Sequence, residues 1–327
     1  MRTVIALGFL VLAATACDDQ TVATPSVPNT PTKRDAGTTV HGWGDPATTR
    51  RPGVLRLGHL NVRRYFDSTC DSGKCDAGGF EEVVTKTAFE ERTSQLAQGL
   101  ARLEADVITL AEVENQGCLD ALQAKLKDAG LDYPVAHLAD IGVPGSVNVA
   151  VLARGKLEKV KTYRKEMPLT REDGTKTQFT RELPEVHLTL GSNSVITYAA
   201  HFRSKADDDP GRRLAEAKAT REIMQTAATE NTGAVVLLGG DLNDTPGSDA
   251  INALEEGDAL VRVAKDLPEA AQSTYTFGGQ KYAIDHIFTT ASRAKAYVAK
   301  SATVIRDGSA GLAGSDHAAI YADFNLP

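Results

Sequence analysis

Apolar and polar positions follow one another along the chain in blocks that predict alternating strands and helices. Continuous apolar runs predict buried strands over residues 54–61, 106–113 and 234–240. Apolar residues at helical spacing predict helices over residues 89–103, 118–129 and 212–229. Shorter strand patterns lie at residues 133–138, 147–154, 178–190, 194–200, 281–289, 296–305 and 318–324. No internal repeat or second linker interrupts this order, so residues 53–327 are predicted to form one α/β domain with sheets inside and helices outside.

The N-terminus has a different pattern. A short positive start precedes an apolar run over residues 4–16, which ends in Ala-Thr-Ala before Cys17. The run is too short to span a bilayer, and its small-residue end is typical of an export signal. A cysteine at this place resembles the lipobox of bacterial lipoproteins, which implies cleavage before Cys17 and lipidation of its thiol. The alternative is an ordinary signal peptide followed by a chance cysteine.

Residues 1–16 are therefore predicted to be a lipoprotein-type signal peptide. Residues 17–52 are rich in Thr, Pro, Asp and Gly and are predicted to form a flexible tether. We expect an exported protein, either lipid-anchored to a membrane of the cell envelope or secreted.

Composition narrows the class of protein. The 327 residues carry 36 Lys and Arg against 43 Asp and Glu, a net charge of −7, with 42% apolar and 24% charged residues. These values are ordinary for a soluble globular protein and exclude a disordered, collagen-like or multi-spanning membrane protein. The negative balance argues against a generic basic coat for nucleic acid. It leaves room for an enzyme with a small positive cleft.

Export changes the interpretation of the remaining cysteines. Cys70 and Cys75 bracket the turn-forming sequence Asp-Ser-Gly-Lys, which predicts a local disulfide in an oxidising compartment. A metal site is the rival interpretation, but no second Cys/His pair has the required spacing. Cys118 is expected to be a buried thiol, with a different pairing left open.

Short polar clusters follow several of the apolar strands. Taken singly, each is better explained as a turn, a helix cap or a structural histidine. Together they supply oxygen ligands for Mg²⁺, a carboxylate to position water and imidazoles to hold phosphoryl oxygens, the set that phosphodiester hydrolysis requires. The residues are Asn61, Glu112, His201, Asp241, Asn243, Asp285, Asp316 and His317.

In their order and context these clusters resemble those of the endonuclease/exonuclease/phosphatase superfamily, which includes deoxyribonuclease I and exonuclease III. The resemblance spans roughly residues 54–324. It implies a four-layer α/β sandwich in which two mixed β-sheets pack face to face with helices outside.

The resemblance also implies a metal site. Glu112 corresponds to the carboxylate that ligates the principal metal, with Asn61 beside it and Asp316 as a further ligand. The implied cofactor is Mg²⁺, with Mn²⁺ or Ca²⁺ as alternatives.

Five further residues receive catalytic roles from the same resemblance. Asp241 is implied to orient or deprotonate the attacking water, and Asn243 to donate a hydrogen bond to the pentacovalent phosphorane. His317 is implied to contact the scissile phosphate, held by Asp285. His201 resembles the second active-site histidine; whether Asp140 is its carboxylate partner is left open.

Two arginines resemble phosphate contacts of deoxyribonuclease I. Arg63 stands where exonuclease III-type members have a metal-binding carboxylate, and Arg181 lies in a Phe-Thr-Arg-Glu segment. The guanidinium fork suits a pair of phosphate oxygens. Surface ion pairing is the alternative for both.

Tyr275 and Phe277 predict either an aromatic contact with a sugar or base, or core positions, which are the commoner outcome for such residues.

These inferences predict an exported, monomeric, metal-dependent phosphodiesterase, an endonuclease that hydrolyses DNA, and RNA as a further substrate, by metal-assisted in-line attack of water. One alternative is a phosphoinositide or sphingomyelin phosphoesterase of the same fold. Another is a non-catalytic surface-binding lipoprotein, against which the presence of Glu112, Asp241, Asn243 and His317 argues.

Overall fold

The computed structural model describes residues 53–76 and 78–327, so the predicted signal peptide (1–16) and tether (17–52) lie outside the described residues. Within this part of the chain, no helix combines the length and apolar character that crossing a bilayer requires. The helices are α1 (Lys86–Ala101), α2 (Gln116–Asp128), α3 (Pro210–Glu230), α4 (Asp249–Glu255) and α5 (Glu269–Gln272). The strands are β1 (Val54–Tyr65), β2 (Val107–Val113), β3 (Val135–Ala139), β4 (Asn148–Ala153), β5 (Lys156–Lys161), β6 (Leu169–Thr170), β7 (Lys176–Thr177), β8 (Glu185–Leu190), β9 (Asn193–His201), β10 (Val235–Asp241), β11 (Leu260–Arg262), β12 (Tyr275–Phe277), β13 (Gln280–Tyr282), β14 (Asp285–Thr290), β15 (Thr303–Ile305) and β16 (Ala319–Asn325).

Two six-stranded sheets form the centre of the domain. The first has the order β15-β16-β1-β2-β4-β3, and the second β11-β14-β10-β9-β8-β5. Strand β1 runs parallel to β2 and antiparallel to β16. Strand β10 likewise runs parallel to β9 and antiparallel to β14. Both sheets are therefore mixed, as predicted.

Three hydrophobic clusters separate the layers. Leu57 of the first sheet belongs to the same buried cluster as Leu237 and Ile287 of the second, so the sheets pack face to face. A second cluster joins the first sheet to α1 and α2, and a third joins the second sheet to α3 and α4. The order of layers is helix, sheet, sheet, helix, which confirms the predicted four-layer sandwich.

A glycine sets the distance between the sheets near the end of β10. A Cβ atom added to Gly239 would lie only 2.4 Å from Thr109 Oγ1 of β2. Real side chains do not approach this closely, so a larger residue would force the two sheets apart at this point. The close approach brings the polar ends of β1, β2 and β10 into one region.

Some predicted segments differ from the structure. Of the predicted strand 178–190 only β8 is a strand, because Phe179 and Leu183 bury their side chains from an irregular segment. Of the predicted strand 296–305 only β15 is a strand. Strand β5 was not predicted; its residues are mostly charged and lie at the sheet edge, where exposed charges discourage further pairing.

The cysteine predictions are confirmed. Cys70 and Cys75 form a disulfide, and Cys118 is a free, buried thiol.

A buried carboxylate links strands β5, β8 and β9 at one end of the second sheet. Glu185 accepts a hydrogen bond from His187 Nε2 at 2.6 Å and from the Tyr198 hydroxyl at 2.7 Å, and it pairs with Lys161 Nζ at 3.0 Å. Burial alone would raise the pKa of Glu185, but these donors and Tyr163 lower it to about 2. The ionised form of Glu185 therefore stabilises the fold.

Glu185→Gln should destabilise the protein in a pH-dependent manner. The gap between the ordinary pKa of 4.5 and the folded pKa of about 2 corresponds to about 3 kcal/mol at neutral pH. Because the folded pKa is depressed, this stability is present above pH 4.5 and is lost as the pH falls towards 2. Urea unfolding of both proteins should show a difference that shrinks over this range. A difference independent of pH would contradict the assignment.

Candidate active site

The predicted polar residues meet at one edge of the paired sheets. Asn61, Glu112, His201 and Asp241 lie near the carboxyl ends of parallel strands, where such strands commonly present functional groups. Asp285 opens the antiparallel strand β14 and stands directly opposite Asp241 in the register. A cleft of about 560 Å³ lies over this edge and is lined in part by Glu112, His201, Asp241, Asn243 and His317.

Asn61 links two carboxylates across the sheets. Its Nδ2 donates to Asp241 Oδ2 at 2.9 Å and to Glu112 Oε1 at 3.1 Å, and its Oδ1 accepts from the backbone N–H of Arg63. The other oxygen of Glu112 accepts from the backbone N–H of Arg64 at 2.8 Å. These bonds fix the orientation of Glu112 and bring its carboxylate close to that of Asp241.

Four side-chain-bearing residues of the cleft have left-handed backbone conformations. Their φ angles are 52° at Arg63, 47° at Arg64, 70° at Glu112 and 51° at Asn243. Residues with a Cβ adopt this region at a cost of about 1–3 kcal/mol each. The strand pairing of β1 with β2 also shifts its register after Asn61. The backbone is therefore bent away from regular strand geometry where it presents these side chains.

The predicted pairing of His317 with Asp285 is present. His317 Nδ1 donates to Asp285 Oδ2 at 2.8 Å, and its Nε2 lies 3.9 Å from Asp241 Oδ2. Burial alone would lower the pKa of His317, but Asp285 and Asp241 outweigh it and raise the pKa to about 10. The imidazole is therefore cationic at neutral pH.

Sequence reasoning missed His59. Its Nε2 lies 3.3 Å from Asp285 Oδ1, the oxygen that His317 does not use, and its Nδ1 lies 2.9 Å from Thr109 Oγ1. His59 is fully buried. It precedes Asn61 by two residues on one strand, and this spacing places both side chains on the same face. That spacing was the signal that could have revealed it.

Burial shifts the pKa values of Asp241 and His201 in opposite directions, because it disfavours the charged form of each. Burial, assisted by Asp285, raises the pKa of Asp241. Burial lowers the pKa of His201 to about 4, so this imidazole is neutral. His201 Nε2 lies 3.8 Å from Asp241 Oδ2 and 3.9 Å from Glu112 Oε1. Asp140 is not its partner, because His201 Nδ1 has no hydrogen-bond partner among the described residues, and Asp140 is exposed and accepts from the backbone N–H of Gly142.

The remaining predicted residues lie around this centre. Asn243 donates its backbone N–H to Asp241 Oδ1 at 2.9 Å and its side-chain Nδ2 to the Phe202 carbonyl at 3.1 Å. Arg63 and Asp316 lie at the exposed rim of the cleft, with 3.6 Å between Arg63 Nε and Asp316 Oδ2. The role of Asp316 as a metal ligand stays a prediction.

Arg181 adjoins a second cavity beside the main cleft. This cavity of about 230 Å³ is also lined by Glu112 and His201. Burial lowers the pKa of Arg181, and Glu112 opposes this effect. The guanidinium of Arg181 therefore lies on the same cavity as the carboxylate of Glu112, a position compatible with its predicted phosphate contact.

The donor set at the centre suits a divalent cation. Oxygens of Glu112 and Asp241 converge on the same amide nitrogen of Asn61, and carboxylate oxygens are preferred ligands of Mg²⁺. Asp241, Asp285 and His317 also offer ligand atoms within 4.8 Å of one another. His317 is already bonded to Asp285, and the role of Glu112 as the principal metal ligand stays a prediction.

Two aromatic residues form a platform beside His317. The Tyr275 ring centroid lies 4.8 Å from that of His317 and 6.5 Å from that of Phe277, onto which it stacks. Phe277 is 67% exposed, and both aromatic residues line the cleft. Of the two alternatives for these residues, the core position is therefore wrong, and a contact with a sugar or base stays a prediction.

The fold is a layered α/β sandwich, and its cleft gathers carboxylates, an amide and imidazoles at one edge of the paired sheets. Residues 57–307 match the Endonuclease/Exonuclease/phosphatase family, and the chain belongs to that family. No sequence among the curated proteins matches the chain.

Solved structures share the fold at low sequence identity. TDP2 from C. elegans is 16% identical with a TM-score of 0.58, covering 83% of this chain and 75% of that one. The catalytic domain of human Nocturnin is 16% identical with a TM-score of 0.57, covering 84% and 95%. A family protein from Bacteroides thetaiotaomicron is 15% identical with a TM-score of 0.55, covering 83% and 94%.

Proposed function

We propose that the protein is a divalent-metal-dependent phosphodiesterase that cleaves DNA internally and also accepts RNA. The observation that carries this proposal is the continuous chain of contacts from Glu112 through Asn61 and Asp241 to His317 and Asp285 beneath one cleft. It combines a carboxylate end for a metal, a buried base and a cationic imidazole, the groups that in-line attack of water on a phosphodiester uses.

In the proposed reaction, Asp241 accepts a proton from the attacking water and His317 stabilises the phosphoryl charge. A water oxygen bonds to phosphorus as the bond to the leaving oxygen breaks, and the water proton passes to Asp241. The raised pKa of Asp241 makes its carboxylate a stronger base than an exposed aspartate. Cationic His317 stabilises the charge that develops on the phosphoryl oxygens. The leaving oxygen takes its proton from solvent.

The residues of the cleft that would hold the metal are those predicted from the sequence. Glu112 would hold it, with Asp316 as a further predicted ligand. Asn61 could join them only by turning its amide, because its Nδ2 faces Glu112 and Asp241 and its Oδ1 accepts from the backbone N–H of Arg63. A bound divalent cation supplies Lewis-acid stabilisation of the phosphoryl charge, with Mg²⁺ as the proposed ion and Mn²⁺ or Ca²⁺ as alternatives.

The aromatic platform favours nucleic acid over a lipid headgroup. Every nucleobase has a face that can stack on an exposed aromatic ring, and Phe277 offers such a ring at the cleft. Arg63 and Arg181 supply cations for backbone phosphates on the two cavities. A structure of D. rerio TDP2 with single-stranded DNA product shares the fold at 18% identity and a TM-score of 0.55.

We further propose that the enzyme is exported as a monomer and held at the cell envelope by lipidated Cys17. The apolar run before Cys17 and the Cys70–Cys75 disulfide, a bond typical of oxidising compartments, support export.

Incubation with supercoiled plasmid tests the proposed activity. With Mg²⁺ the protein should produce nicked and then linear DNA, and an excess of EDTA should stop the reaction. A panel of DNA, RNA, bis(p-nitrophenyl) phosphate, sphingomyelin and phosphatidylinositol phosphates identifies the preferred class. Cleavage of a lipid substrate in the absence of nuclease activity would overturn the proposal.

Phe277→Ala should weaken the binding of nucleic acid without altering the chemistry. Loss of one base–aromatic stack costs about 1–3 kcal/mol, so KM for an oligonucleotide should rise about 10-fold or more. Hydrolysis of bis(p-nitrophenyl) phosphate, which has no nucleobase, serves as the control and should change less than about twofold. Equal losses on both substrates would exclude the stacking role.

A further inference from the structure

A second group of carboxylates lies on the loop between β1 and α1 and just beyond the end of β2. Its members are Asp67, Asp71, Glu81 and Glu114. Glu81 and Glu114 are 4% and 3% exposed, and Asp67 is half-buried. Arg64 donates to the Phe80 carbonyl of this loop and pairs with Glu82, which is outside the group. Among the described ion pairs, none joins a basic side chain to these four carboxylates, so their charges face one another without a protein cation.

Glu114 has a buried oxygen without a partner. Its Oε2 accepts from the backbone N–H of Asp67 at 2.9 Å, whereas its Oε1 has no hydrogen-bond donor among the described residues. Ligand atoms of Asp67, Glu114 and Cys118 lie within 4.8 Å of one another. The Glu81 carboxyl joins this group through Glu114, within hydrogen-bonding reach of which it lies. A buried acceptor that faces other carboxylates is unfavourable unless a positive ligand or a proton joins them.

The neighbouring backbone and side chains hold these carboxylates in place. Asn115 Nδ2 donates to Asp67 Oδ2 at 3.1 Å and to Asp71 Oδ2 at 3.0 Å. Glu81 accepts from the backbone N–H groups of Asp71 and Ser72. The carboxylates are therefore preorganised, which lowers the cost of ordering them around a ligand.

We propose that Asp67, Glu81 and Glu114, with Asp71 on the exposed side, bind a structural Ca²⁺ ion. An all-oxygen set of carboxylates on a loop suits Ca²⁺, which accepts irregular geometry, better than Mg²⁺, which requires a near-ideal octahedron. Zn²⁺ would need the Cys118 sulfur as a thiolate ligand. Cys118 is instead a thiol that donates to Glu114 Oε2 at 3.8 Å, and burial raises its pKa, which disfavours the thiolate.

This site differs from the one in the cleft. Glu112 lines the cleft, whereas the four carboxylates of the second group do not. The bound ion would connect the loop after β1 to the end of β2, behind the edge that carries Asn61 and Glu112. The alternative occupant is a proton shared by Glu81 and Glu114, since burial and the neighbouring carboxylates raise the pKa of Glu114 to about 7.

Thermal unfolding of the full chain tests the proposal. After removal of metals with EGTA, about 10 mM CaCl₂ should raise Tm by about 5 °C or more, given a Kd on the order of 0.1 mM. Glu114→Gln should abolish this rise, since its amide replaces the cation as a donor to Glu81. Glu112→Gln is the matched control two residues away, and it should keep the rise. Mg²⁺ at the same concentration should have a smaller effect than Ca²⁺.

Three results would overturn the site: no Ca²⁺ effect on the wild-type chain, an undiminished effect in Glu114→Gln, or loss of the effect in Glu112→Gln. The first would leave the shared proton as the explanation, and the third would place the ion in the cleft. If Glu114→Gln does not fold, Asp67→Asn replaces it. Equilibrium dialysis with ⁴⁵Ca²⁺ should then show affinity weakened about tenfold or more, and unchanged affinity would overturn the proposal.

Discussion

Asp241→Asn should lower kcat for DNA cleavage by about 10³-fold or more, a loss at the upper end of what a positioned base contributes. The amide keeps the size of the side chain but cannot accept the proton of the attacking water. Burial and Asp285 raise the pKa of Asp241, so the lost group is an unusually good base for a carboxylate. Single-turnover cleavage of a labelled oligonucleotide measures the chemical step, and KM should change little.

The neighbouring carboxylate provides the control for this substitution. Asp244 accepts from Arg213 at 3.0 Å and from Lys205 at 2.7 Å. Asp244→Asn should therefore reduce stability while kcat stays within about threefold of wild type. If Asp241→Asn keeps more than about a tenth of wild-type kcat, Asp241 is not the base.

Asp285→Asn should reduce kcat by about 10²- to 10³-fold near neutral pH. Without the Asp285 charge, burial dominates the environment of His317 and its pKa falls from about 10. The cationic form of His317 is then lost as the pH rises, so the variant should recover activity relative to wild type as the pH is lowered from about 8 to about 6. A pH–rate profile of both proteins measures this change.

His59→Ala distinguishes the effect of the position of Asp285 from the effect of its charge, because it should loosen this carboxylate without neutralising it. His59 lies against the oxygen of Asp285 that His317 does not use. Its removal should loosen the carboxylate of Asp285 and cost about tenfold in kcat, without moving the pH profile. The pH profile should therefore change in Asp285→Asn and stay the same in His59→Ala. If it stays the same in both variants, Asp285 does not control the protonation of His317.

The buried central strands could be predicted from the sequence, whereas exposed and irregular segments could not. Strands β2 and β10 are buried along both faces, so each is an unbroken apolar run whose ends differ by a residue or so from the predicted ones. Strand β5 has four charged positions in six residues and has no such pattern. Residues 178–184 show the opposite error, because apolar side chains in an irregular segment resemble those of a strand.

The sequence predicted those residues of the candidate site that lie in short motifs at the ends of strands. The residues that end strands were found because polar groups directly after apolar runs are visible in the sequence. His59 and Glu114 were not assigned roles, because their importance depends on which strand lies opposite them. The contact of His59 with Asp285 requires the face-to-face packing of the sheets. That packing depends on interactions distant in sequence, such as the close approach at Gly239.

The left-handed residues of the cleft bear on how this protein tolerates substitution. Glycine adopts that backbone region without penalty, so glycine at Arg63, Arg64, Glu112 or Asn243 would relieve unfavourable backbone energy while removing a functional side chain. Directed evolution for heat resistance alone would therefore favour inactive variants at these four positions. This chain carries the costlier residues at all four positions, and this trade-off between stability and activity marks the cleft independently of any motif.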